Sequence, residues 1–109
     1  MSGPETQPYE ALASLIEREL ELVSQRRFDE LRDLKVTRRA LEQSFPPTPP
    51  ASARPVIERC RLLQTRVEIE LLRVREALLI ELEQVRRAQR AADGYAPVMQ
   101  RRPRVHVSA

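Results

Sequence analysis

Between Val56 and Asp93 the chain contains no glycine or proline, and its apolar residues return every three or four positions. Val56, Cys60, Leu63, Val67, Leu71, Val74, Leu78, Leu82 and Val85 keep the period of an α-helix and form one continuous stripe. Leu62, Ile69, Leu72, Leu79 and Ile80 lie near the opposite side of the same helix. A rod of about 55 Å, at about 1.5 Å of rise per residue, with apolar side chains on two faces is not stable alone in water. Something must cover it, whether the rest of the chain, a partner, or both.

The preceding half supplies part of that cover. After a short leader, residues 1–8, the pattern Leu12, Ile16, Leu20 and Val23 predicts an amphipathic helix from Tyr9, started by Ser2 with Glu5 or by Thr6 with Pro8. Glu17, Arg18, Glu19 and Glu21 fill much of its polar side. Ser24-Gln25-Arg26-Arg27 interrupts the polarity, so a kink or short turn is expected there. Ser24 is the candidate N-cap of a following helix, with Asp29 and Glu30 complementing its dipole. The stripe resumes with Phe28, Leu31, Leu34, Leu41 and Phe45.

Pro46-Pro47-Thr48-Pro49-Pro50 then ends the helix outright, because proline removes backbone donors and bars α conformation in the residue before it. The long helix is expected to turn back antiparallel on the first half. Asp93-Gly94 is expected to close it, with Gly94 in the left-handed position. The fold class read from these features is all-α. It is an elongated antiparallel hairpin or bundle of two long arms, the first kinked or broken near 24–27, giving three helices. The expected organisation is a flexible leader over 1–8, a helical domain over 9–94 and a disordered basic tail over 95–109. Within the domain the arms are 9–45 and 55–94, joined by the linker 46–54.

Composition narrows the function. Hydrophobic residues make up 41% and charged residues 32%, with two glycines and no tryptophan, so the core is aliphatic and helical. The net charge of +3 comes wholly from Arg101, Arg102 and Arg104, and acids and bases interleave elsewhere. A nucleic-acid binder carries a basic stripe on its ordered surface, so no nucleic-acid partner is expected. The single Cys60 sits on the apolar stripe and reads as a small buried hydrophobe. With no apolar run long enough to span a bilayer and no signal-like leader, no membrane insertion and a cytoplasmic location are expected.

Catalytic and metal-ligating patterns are missing. His106 is the sole histidine, and there is no phosphate-binding Gly loop or Cys/His pair at ligand spacing. No cofactor or metal is expected. The enzyme alternative is an all-helical chorismate mutase-like protein, using Arg27 and Arg38 on the first stripe for a dicarboxylate. Against it stands the apolar stripe of the long helix, which offers no matching polar set. The plainer reading of both arginines is an apolar stem on the core and a guanidinium in water.

Four features in order carry a family resemblance. Tyr9 precedes the first apolar run, and Phe28-Asp29-Glu30-Leu31 opens the second helix. Arg39 and Leu41 precede a proline-bearing linker, and Ala92-Asp93-Gly94-Tyr95 closes the long helix. Over roughly residues 9 to 97 the chain resembles the flagellar type III export chaperones of the FliT/FlgN type. The resemblance implies a cytoplasmic helical bundle that binds the amphipathic terminal helices of an exported filament-cap or hook-associated protein and prevents premature assembly. It also implies delivery to the export gate or ATPase, with Tyr9 and Tyr95 as candidate contacts; packing at a bundle end is the other role for each tyrosine. The cargo face is expected at Leu62, Ile69, Leu72, Leu79 and Ile80, which burial under the first half or a homodimer seam would also explain. The tail after Gly94 is a candidate cover for it. The remaining alternative is a dimeric coiled-coil scaffolding module of another machine.

Overall fold

In a computed structural model of the chain, residues 3–108 are described, those of 95–108 by their backbone alone. The last helix continues over 95–108, where a disordered basic tail was expected; the partner contact expected at Tyr95 lies outside the described side chains. The fold is all-α as expected, with three helices and no strand among the described residues. The chain divides into two compact units, Met1–Val74 and Arg75–Ala109.

In the first unit, α1 covers Gln7–Ser24. Thr6 stands at its N-cap and Pro8 in its first turn, where the missing N–H has no intrahelical acceptor to lose. The Thr6 hydroxyl does not cap the helix; it donates to the Gly3 carbonyl at 2.9 Å, closing a turn before it. Tyr9, Ala13, Ile16, Leu22 and Val23 are buried at helical spacing, as the amphipathic pattern requires.

The interruption after Ser24 is a complete break. Arg26 adopts a left-handed φ of 58°. Its N–H bonds the Val23 carbonyl at 3.0 Å, and that of Arg27 bonds Leu22 at 2.9 Å, the paired bonds of a Schellman motif. Ser24 is therefore the last residue of α1, and not the N-cap of the next helix. That position belongs to Arg27, without a side-chain cap. Helix α2, Phe28–Gln43, carries Asp29 and Glu30 in its first turn and turns Leu31 into the core.

α2 runs back along α1. The Phe45 ring, just past its end, lies 4.6 Å from that of Tyr9 at the start of α1. The first half is thus two helices of 18 and 16 residues packed on each other. After the prolines, a 3-10 turn over Ala51–Ala53 buries Ala53 and leads into α3, Arg54–Ser108. Ser52 donates to Glu5 at 2.7 Å and the Cys60 thiol to the Tyr9 carbonyl at 3.6 Å, while Arg38 joins Glu19 to Gln64. These pairings advance together, so α3 is parallel to α1 and antiparallel to α2.

Cys60, Leu63, Val67 and Val74 close the core with Ala13, Ile16, Leu22, Val23 and Leu31, flanked by Val56 and Leu71. The stripe that is continuous in sequence is therefore covered only in part. Leu78, Leu82 and Val85 continue it in sequence and are exposed. Within the first unit α1 spans about 27 Å at about 1.5 Å per residue, and the core it shares with α3 ends at Val74. Gly94 has no positive φ and lies within α3, not at its end. Glycine permits the left-handed conformation without compelling it.

The second unit, its side chains described over 75–94, is helix alone. Leu79 and Ile80 are exposed on one side and Leu78, Leu82 and Val85 on another. Glu83 sits between Arg87 at 3.4 Å and Arg90 at 3.2 Å.

Candidate partner-binding faces

Each unit carries an apolar face without cover. In the first, Leu62, Ile69 and Leu72 are 68%, 58% and 64% exposed on the same helix that buries Cys60, Leu63, Val67 and Val74. The positions alternate because a step of seven residues returns to nearly the same side of a helix, whereas a step of two crosses it. Burial of these three under the first half, one of the readings of the sequence, is therefore not what the structure has. In the second unit Leu79 and Ile80 are likewise open, each 55% exposed.

Tyr9 has a different place. It is buried against Phe45 at the end of the bundle, and its hydroxyl is buried with no hydrogen-bond partner. That is the packing role foreseen as its alternative.

A polar cluster inside the first unit escaped the sequence reading. Glu19, assigned there to the polar side of α1, is 1% exposed. Arg38 Nη1 donates to Glu19 Oε2 at 2.8 Å and to Gln64 Oε1 at 2.7 Å, and Arg38 Nε donates to Glu42 at 2.7 Å. The other Glu19 oxygen is buried without a partner. These residues, with Lys35, Arg39, Val67 and Leu71, line a hollow of about 310 Å³. The arginine does not lie with its head in water, as the plainer sequence reading had it. Its guanidinium locks α1, α2 and α3 together, because a carboxylate out of water requires a charged donor. The signal was available: Glu19 lies three residues after Ile16 and three before Leu22, on the buried side, and Arg38 falls on the stripe of α2. Arg27 behaves as expected of a surface residue, paired with Glu30. The hydrogen bond from Arg27 holds the Glu30 carboxyl below its ordinary range and raises the guanidinium in turn.

Cys60 is buried, and loss of hydration pushes its thiol above the ordinary value, with the charges of Arg38 and Arg59 opposing the shift. Among the described residues no cluster of His, Cys, Asp or Glu is arranged to hold a metal, and no helix is long and apolar enough to cross a membrane. Comparison with protein-family models, with curated proteins and with solved structures gives no match. The functional reading therefore rests on the residues and the faces they form.

Proposed function

We propose that the chain is a chaperone of the flagellar type III export system, binding the amphipathic terminal helices of a filament-cap or hook-associated protein in the cytoplasm. The observation that carries this reading is the exposure of Leu62, Ile69 and Leu72 beside a core already closed on the other side of the same helix. Large aliphatic residues repeated at helical spacing suit an incoming amphipathic helix, whose own apolar side chains dock between them. Leu79 and Ile80 extend the supply of such residues in the second unit. A cargo helix held this way is kept from polymerising until it is passed to the export gate or ATPase. The chorismate mutase-like alternative requires an arginine directed at a dicarboxylate, and Arg38 already serves two carboxylates and an amide.

The test is titration of the purified chain with peptides spanning the terminal helices of cap and hook-associated proteins from the same genome. Replacing Ile69 and Ile80 together by Asp is expected to weaken binding at least about tenfold, about 1.4 kcal/mol, with the helical circular dichroism unchanged because both side chains are exposed. No binding by the unaltered chain to any such peptide would overturn the proposal.

A further inference from the structure

Charge is not evenly spread along α3. Residues 1–84 hold 13 Lys+Arg and 15 Asp+Glu, whereas residues 85–109 hold six Arg and the single acid Asp93. The first stretch is thus −2 and the second +5, which together give the +3 of the chain. The helix covers Arg54–Ser108, so nearly all of the positive stretch belongs to one rod. We propose that this end of α3 lies along an anionic lipid surface, without spanning it.

Helical register separates the two kinds of residue. Val85, Ala88, Ala92, Ala96 and Met99 step by 3, 4, 4 and 3, so these positions share one side of the rod. Arg86, Arg90, Arg101 and Arg104 step by 4, 11 and 3, close to whole turns of about 3.6 residues, and share the opposite side. Arg87 and Arg102 fall between the two sides, while Ala91, Val98 and Val105 depart from the separation. Where side chains are described, Val85 is 53% exposed. Arg87 and Arg90 are paired with Glu83 at the surface, in bonds that are weak and readily exchanged.

A helix basic on one side and apolar on the other suits the boundary between lipid headgroups and acyl chains. Bedded there, it has apolar chains beneath it and phosphates along its flanks, which long arginine side chains can reach. The apolar side here is mostly alanine, too thin to hold a neutral bilayer by itself. The lipid must therefore be anionic, and each arginine near such a surface strengthens binding about fivefold. A nucleic acid would engage the arginines and leave the apolar side in water. A protein helix laid on the apolar side would leave the opposite row of arginines unmatched. An anionic lipid surface uses both.

The experiment is co-sedimentation of the full chain with vesicles of phosphatidylcholine alone, or of phosphatidylcholine and phosphatidylglycerol in equal parts. Binding is expected to the mixed vesicles and not to the neutral ones. It should be released at about 1 M salt, where the screening length falls to about 3 Å. Replacing Arg101, Arg102 and Arg104 together by Gln is expected to weaken binding on the order of a hundredfold. Met99→Ser keeps the charge and should weaken it severalfold, which separates bedding in the surface from attraction alone. The chain has no tryptophan, so Tyr95→Trp places a lone reporter in the segment, and its emission should shift to the blue on the mixed vesicles only. Urea unfolding of each variant should match the parent, since none of these positions belongs to the core of the first unit. No pelleting with the mixed vesicles, equal pelleting with the neutral ones, full affinity in Met99→Ser, or tighter binding to a random-sequence DNA duplex would overturn the proposal. The cargo reading is judged separately: Ile69→Asp with Ile80→Asp should abolish cargo binding and leave vesicle binding in place.

Discussion

Replacing Arg38 by Met keeps most of the side-chain stem and removes the guanidinium that three other residues share. Glu19 is then a carboxylate 1% exposed that has lost the guanidinium bonded to one oxygen, and its other oxygen already lacks a partner. Breaking a buried ion pair from one side costs about 3–5 kcal/mol. Arg38 keeps about a fifth of its side chain in water, which argues for the low end, about 3 kcal/mol. At roughly 4–8 °C per kcal/mol for a domain of this size, the midpoint should fall by on the order of 12–24 °C. The measurement is urea unfolding of the full chain followed by circular dichroism, with Glu19→Leu and the Glu19→Leu/Arg38→Met double variant completing a cycle. The double variant removes both the charge and its counter-charge, so it should recover most of the loss and give a coupling above about 1.5 kcal/mol. A cost for Arg38→Met under about 0.5 kcal/mol, the range of an exposed pair, or simple additivity of the two single variants would refute the reasoning. Either result would mean that Glu19 is hydrated in solution and the three helices are not tied through it.

Tyr9→Phe removes a buried hydroxyl that has no partner, so the variant is expected to match or exceed the parent in stability by up to about 1 kcal/mol; a loss on urea unfolding would show that the hydroxyl is bonded after all. Arg26→Gly places the residue most at ease with positive φ at the end of α1 and should stabilise by up to about 1 kcal/mol, read as a higher thermal midpoint. The Cys60 thiol, with its folded value raised by burial, should react slowly with a disulfide reagent at pH 8 and at the free-thiol rate once the chain is unfolded. Its contribution to stability is whole below the unfolded thiol value of about 8.5 and is lost as pH rises through the folded value. Cys60→Ala should accordingly flatten the alkaline limb of the stability profile.

The three helices were legible because each is announced by apolar residues at helical spacing. The prolines at 46–50 could be read directly, since their effect on the backbone does not depend on what packs nearby. The full reversal at Arg26 was harder. An arginine in the left-handed region has no sequence signature comparable to a glycine, and the motif there is closed by main-chain bonds alone. The fate of the long stripe was also hidden. Periodicity tells which side of a helix is apolar, but not which of its residues are covered, and Leu78 and Val85 are exposed. Glu19 illustrates a third limit. A charge on a buried side looks like a defect until its counter-charge on another helix is found, and pairing residues 19 apart in the chain requires the fold. The outward Leu62, Ile69 and Leu72 were correctly grouped by spacing, and their exposure became visible only with the core closed behind them.

α3 also sets up an internal comparison for hydrogen exchange. Amides from Cys60 to Val74 are backed by packed neighbours and should exchange only when the bundle opens. Those from Arg75 to Asp93 have the rod's own ladder for protection and should exchange far sooner. A deuterium-labelling experiment on this one rod thus carries a slow reference and a fast sensor side by side. Occupancy of the free stretch, by whatever docks there, would register as fast amides slowing toward their protected neighbours.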